Sequence, residues 1–354
     1  MRLEIALIVE MTSDKLPTLV DVARVAGISR ATVSRYVNNP TSVRADRRDR
    51  IKQAINDLGY VPHGAARALV SHRSQMIGAL FPSLDTFLFG SFIGPLQSSL
   101  QRLGYTLVVS SSDYNPEMEV EQLRTLVMNG VDAIVMIGVE HNQSCFELLN
   151  RRNIPYVLAW SWIESAALPQ IGFCNAGATS LVANYLMDIG HRRIAMISGI
   201  TAGNDRATER VRGVREALEA RGLALTPACV TERVFDIREG ANAFRELMSY
   251  KDPPTAILCG SDMFAYGALF EASRMGMKVP DDISITGFDD TDFARNLAPT
   301  LTTVRTPRIE MAELTADYLL AALSDQGVPR PQKLGVELVL RESTAPPKRT
   351  MESD

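Results

Sequence analysis

From residue 76 onward the chain alternates short apolar runs with amphipathic stretches, the runs falling at 76–81, 106–109, 133–137, 156–159, 194–197, 256–259 and 283–285. Strand–helix alternation of this kind predicts parallel sheets joined by crossover helices. Seven such runs, with late returns at 301–304 and 336–340, exceed one comfortable sheet. They read as two lobes crossed by several linkers. Ligands of doubly wound sheets sit at the C-terminal ends of the strands, which here places a binding site between the lobes.

The first seventy residues follow a different period. Thr18 stands three residues before Asp21, as a capping box requires, and Leu19, Val22, Ala23 and Ala26 form one helical stripe. Gly27 breaks that helix, and Ser29 can cap a second one over 30–37. In it Val33 and Val37 point inward while Arg30, Ala31, Ser34 and Arg35 point outward. A third helix over 45–58 carries Ile51, Ile55 and Leu58, enough to close a three-helix core beneath the other two.

Charge sharpens the division. The chain has 354 residues, is 46% hydrophobic and carries a formal net charge of −4, a length that suits two or three folded units. Between Thr18 and Gln75, however, ten basic residues face four acidic ones. The rest of the chain is therefore strongly acidic and would repel a polyanion, so any nucleic acid is bound by the basic segment. Arginines near the N-terminal end of the second helix suit the major groove, where Arg pairs bidentately with guanine.

The four cysteines, Cys145, Cys174, Cys229 and Cys259, are widely spaced with no metal-ligand pattern, so neither zinc nor a disulfide framework is expected and a reducing cytoplasm fits. No stretch approaches membrane-spanning length. Residues 1–17 read as a loose leader, with Met11 an alternative start.

Thr18-Leu19-Val20-Asp21-Val22-Ala23, Ala26-Gly27-Ile28-Ser29, Thr32-Val33-Ser34-Arg35 and Val37-Asn38 resemble the headpiece of the lactose-repressor (LacI/GalR) family. The resemblance implies a helix-turn-helix domain over 18–62 in which Arg30, Ala31 and Arg35 read bases, Arg35 meeting guanine. Ser29, Thr32 and Asn38 lie nearer the phosphates, and Thr18 and Ser34 complete the DNA-facing set. It further implies a hinge helix and linker over 63–74, ordered when two copies meet on DNA, with Ala66 and Leu69 at the minor groove and Leu69 wedged into a base step. His63 replaces the family's usual asparagine, and Gly64 weakens the helix further.

The remainder is similar to the family's periplasmic-binding-protein-like core through Gly190-His191-Arg192-Arg193-Ile194-Ala195, Val279-Pro280-Asp281-Asp282-Ile283-Ser284, Gly287-Phe288-Asp289-Asp290 and Leu301-Thr302-Thr303-Val304. That implies an effector-binding and dimerisation core over 75–347, with one lobe at 75–188 and 305–328, the other at 189–304 and 329–347, and a tail at 348–354. The effector contacts carried over are Phe89, Trp160, Asn204, Arg206, Arg210, Phe235, Ser261 and Asp289, with Arg210 and Asp289 as polar clamps. Cys174 and Ser261 depart from the aspartate and asparagine common at those positions. His191 reads as structural.

The expected protein is a cytoplasmic transcriptional repressor, α-helical at its N-terminus and α/β in its two-lobed core. As a homodimer it binds a near-palindromic double-stranded operator, and a sugar, sugar acid or related metabolite in the cleft changes its operator affinity by rotating a lobe and respacing the hinges, releasing DNA as the resemblance implies. No cofactor or metal is expected, and residues 341–354 lack the leucine heptads of a tetramerising coiled coil. Two rivals remain. An enzyme of doubly wound fold finds no phosphate-binding glycine motif and no nucleophile elbow here. A free-standing small-molecule binding protein would have no use for the basic headpiece.

Overall fold

The computed structural model describes residues 16–62, 73–84, 87–165, 167–324 and 330–348, and the chain separates into two compact units, Met1–Ser74 and Gln75–Asp354. In the first unit α1 (Leu19–Ala26), α2 (Arg30–Asn38) and α3 (Ala45–Leu58) enclose a core of Val22, Ala26, Val33, Val43, Ile51 and Ala54. Thr18 and Asp21 satisfy one another's backbone N–H groups at the start of α1, and Gly27 ends it in the left-handed region at φ 58°. Arg50 on α3 donates to the Ala26 carbonyl at 2.6 Å, so one basic residue of this segment is spent on the fold. Val37, expected inside, is only half-buried. Tyr36 packs on the core instead, and Val43 from the α2–α3 connection fills it.

The second unit holds two parallel sheets. The first comprises β1 (Met76–Phe81), β2 (Thr106–Ser111), β3 (Ala133–Ile137), β4 (Tyr156–Ala159), β5 (Gln170–Gly172) and β11 (Gln332–Lys333), in the order β11-β5-β4-β3-β1-β2. The second comprises β6 (Ile194–Gly199), β7 (Val230–Arg233), β8 (Ala256–Cys259) and β9 (Ser284–Thr286), ordered β7-β6-β8-β9. Central strands such as β3 and β8 are buried at every position, as sheets covered on both faces demand.

Helices supply those covers. On the first sheet α4 (Phe87–Arg102) and α11 (Arg308–Leu323) bury Phe92, Leu96, Met311 and Leu319 against Ile77, Val135 and Val157. The opposite face takes α5 (Pro116–Met128) and α6 (Gln143–Arg152) through Leu123, Leu126 and Leu149. On the second sheet α7 (Asn175–Asp188) and α8 (Asp205–Glu219) cover one face, and α9 (Ile237–Met248) and α10 (Asp262–Arg274) the other.

An antiparallel ribbon of β10 (Thr303–Arg305) and β12 (Glu337–Val339) joins the lobes, extended by single bridges Thr286–Thr302 and Asp289–Arg305. One boundary needs correction. The stretch 329–347 was expected wholly in the second lobe, but β11 pairs in parallel with β5 on the edge of the first sheet. Gln332 and Lys333 are both exposed and polar, so no apolar run marks that strand.

Candidate functional site

On the headpiece, the Ser29 hydroxyl accepts the Thr32 N–H and meets the Thr32 hydroxyl at 2.9 Å, fixing the first turn of α2. Arg30, Ala31 and Arg35 are exposed, as are Thr18, Ser29 and Asn38, whereas Thr32 and Ser34 are half-buried. Neither Arg30 nor Arg35 forms an ion pair among the described residues. Two cations and a methyl group thus stand on one capped helix face with their donors free. Ala66 and Leu69, expected at the hinge, lie outside the described residues.

In the core unit the C-terminal ends of both sheets face one cleft. Phe89, Trp160, Asn204, Arg206, Arg210, Phe235 and Ser261 line one cavity there, joined by Leu88, Tyr114, Ala207 and Met263. Asp289 is not among the lining residues. It stands behind Ser261, whose hydroxyl donates to Asp289 Oδ2 at 3.4 Å. The Asp289 Oδ1 is buried without a hydrogen-bond partner among the described residues. Burial pushes this carboxyl up to about 7, against the pull of Arg210.

Arg210 is clamped before any ligand arrives. Its Nε donates to Asn175 Oδ1 at 2.9 Å and its Nη1 to the Gly260 carbonyl at 2.6 Å, and the guanidinium lies 3.8 Å over the Phe288 ring. Asn175 also donates to the Trp160 carbonyl, so a single amide holds both a cleft arginine and a cleft indole. Trp160, at φ 74°, packs edge-on against Phe89 and Phe92 and leaves its Nε1 buried without a partner among the described residues. Its neighbours make it a wall of the cavity rather than an outlying aromatic.

Asn204 and Ser261 serve as helix caps. Asn204 accepts the Ala207 N–H at the start of α8, and Ser261 accepts the Met263 N–H at the start of α10. Both helices therefore present their positive ends to the cleft. Phe235 lies against Gly199, where a Cβ would meet the ring at 2.4 Å, so glycine is what lets the ring seat there.

Arg206 reaches from the second lobe to the first: its Nη1 donates to the Ile137 carbonyl at 2.7 Å and to Asp205 Oδ1 at 3.1 Å. It passes over Gly138, at φ 95°, where a Cβ would stand 1.9 Å from Nη1. The buried Asp205 partner is one that sequence reasoning missed, as it missed Asn175 and Tyr114. Tyr114 follows a polar run, Ser110-Ser111-Ser112-Asp113, that carries no aromatic or periodic signal.

Other singled-out residues have structural employment. His191 meets Thr255, Ser284 and the Ala345 carbonyl, and burial lowers its pKa. Cys174 accepts the Gly177 N–H as the cap of α7, the task an aspartate would also perform. Asp290 accepts from Arg305 and Arg341. No group of three His, Cys, Asp or Glu side chains suited to a metal occurs among the described residues. Among them, too, no helix is long and apolar enough to cross a membrane.

Residues 18–63 match the bacterial regulatory proteins of the lacI family, and residues 183–344 match the periplasmic binding protein-like domain. The HTH-type transcriptional repressor CytR of Escherichia coli (strain K12) is 31% identical over 331 residues, 92% of this chain and 96% of the relative. The HTH-type transcriptional repressor PurR of Haemophilus influenzae (strain PittEE) is 28% identical over 332 residues, 93% of this chain and 98% of the relative. Among solved structures, the lac repressor dimer bound to operator and the anti-inducer ONPF superposes with a TM-score of 0.83 at 27% identity, covering 94% of this chain and 100% of that one. With a capped, arginine-bearing helix-turn-helix, a two-lobed cleft and this near-full-length likeness to repressors, the chain belongs to the lacI family of DNA-binding bacterial transcriptional regulators.

Proposed function

We propose that this regulator represses transcription as a homodimer on a near-palindromic operator, and that a polar small molecule held between its lobes sets how tightly it binds. Arg35 reads guanine, with Arg30 and Ala31 beside it, while Ser29, Thr32 and Asn38 position the backbone. In the cleft Arg210 orients the effector, a sugar, sugar acid or related metabolite, with Asp289 acting from behind through Ser261. Its work is binding, without catalysis, in the cytoplasm. The observation that carries this reading is the pairing of exposed, uncommitted cations on α2 with buried, unpartnered polar atoms of Asp289 and Trp160 at the cleft. Each unit has hydrogen-bonding capacity that the described residues do not use.

The test selects DNA from a random pool with the full-length protein and measures fluorescence anisotropy on the winner against added salt. A steep loss of affinity with salt is expected, together with a loss of about 1–3 kcal/mol in Arg35→Ala that relaxes the preference at one base pair. Equal binding to every sequence would refute it. Thermal shift with sugars, sugar acids and nucleosides then identifies the effector class.

A further inference from the structure

Three cavities of the cleft formed by described residues share one lining side chain. The inner one, around Trp160 and Arg210, measures about 40 Å³. Next to it lies a vestibule of about 570 Å³ bounded by Ile200, Arg233, Phe235 and Asp236. A third space of about 240 Å³ runs beside Glu119 and His141 on the first lobe. Tyr114 borders each. The inner cavity has room for little more than a water, whereas pockets for metabolite-sized ligands run to about 300 Å³ or more.

Tyr114 is held in this place from both lobes. It follows β2 on a turn in which Asp113 and Tyr114 both take left-handed φ angles, 49° and 57°, a conformation that non-glycine residues adopt only when their surroundings enforce it. Its N–H donates to the Pro82 carbonyl at 3.0 Å, and Asp113 is tied to Ser111 at 2.7 Å. Across the cleft the ring stacks on Phe235 with centroids 6.1 Å apart and planes 22° apart. Phe235 is in turn stacked on Phe264 at 5.2 Å. The phenol meets Arg206, and burial raises its pKa. Yet 40% of the residue's surface is exposed, so its outer side already borders solvent.

We propose that Tyr114 is the gate of this cleft: its ring, seated on Phe235 of the opposite lobe, closes the inner chamber off from the vestibule, and a ligand enters only when the ring leaves. The departure bares the Phe235 face in the same cavity wall that carries Arg206 and the buried Trp160 indole. This rests on reading the cleft as the effector site, but its test needs no effector. The chain has two tryptophans, so in a full-length Trp162→Phe background the emission reports Trp160 alone, which is 1% exposed. Acrylamide is the probe.

Tyr114→Ala in that background is expected to raise the Stern–Volmer quenching constant of Trp160 several-fold, while Tyr114→Phe, which keeps the ring, leaves it unchanged. Phe235→Leu removes the stacking partner without touching the Tyr114 turn and should give the same rise, covering the case in which Tyr114→Ala does not fold. Circular dichroism melting confirms which variants are folded. Unchanged quenching in the folded alanine or leucine variants overturns the gate, and so does a rise in Tyr114→Phe equal to that in Tyr114→Ala. A failed effector screen with the quenching result intact would count against the effector reading alone.

Discussion

At the scale of single residues, the cleft is assembled from groups whose ordinary properties have been shifted by burial. Asp289 has its carboxyl pushed from 3.8 to about 7, so between those pH values the folded protein keeps a proton that the unfolded chain has released. Stability attached to this group is therefore present at the acidic end of that window, falls as pH rises through it and levels off above about 7. Urea denaturation of the wild type and Asp289→Asn across the window should give a difference that shifts against the wild type by about 2–4 kcal/mol as pH rises. A pH-independent difference would remove the buried-proton account.

Gly138→Ala places a methyl group where Arg206 Nη1 now lies. We expect it to lower core stability by about 1–3 kcal/mol. Combined with Arg206→Ala, the loss should be less than the sum of the two, since the clash needs both partners. A double-mutant cycle by urea denaturation measures this directly.

At the scale of elements, what the sequence made legible is what repeats. The apolar runs at 76–81, 133–137, 156–159 and 256–259 coincide with β1, β3, β4 and β8, because a strand buried on both faces must be apolar throughout. The strands that escaped notice are β5, of three residues, β7 at the edge of the second sheet, and β11, two exposed polar residues. Each gives too few buried positions to leave a pattern. The cleft follows the same logic: Phe89, Arg210 and Phe235 could be named by resemblance to a family, but Tyr114 and Asp205 reach the site through a turn and across a gap that no local spacing encodes. In the headpiece the caps were readable because they are local. Ser29→Ala should cost about 1 kcal/mol of headpiece stability, read from its thermal unfolding, whereas exposed Arg35→Ala should leave that unfolding within about 0.5 kcal/mol.

At the scale of the whole molecule, two units with separate cores predict separate melting. The headpiece closes on Val22, Val33 and Ile51, and none of the clusters behind the two sheets includes those residues. Scanning calorimetry of the full chain should resolve a small transition apart from a large one. Val33→Ala should move the small one alone, by the roughly 1–3 kcal/mol of a buried large-to-small change. A single transition shifted as a whole by that substitution would mean that the two units unfold as one.

The aspartate pair at 289–290 ties these scales together. The carbonyls of both residues accept from Arg308 at the root of α11, the Asp290 side chain grips Arg305 on β10 and Arg341 just past β12, and the charge of Arg210 acts on the Asp289 carboxyl. One stretch of backbone is thus fastened from both lobes at once: the peptide carbonyls that hold a helix of the first lobe belong to the residues that also face the Ser261 cap and the connecting strand of the second. Like the pin of a hinge, this short segment has no slack of its own, so loosening Arg305, Arg308 or Arg341 leaves a buried acceptor of the pair without its donor.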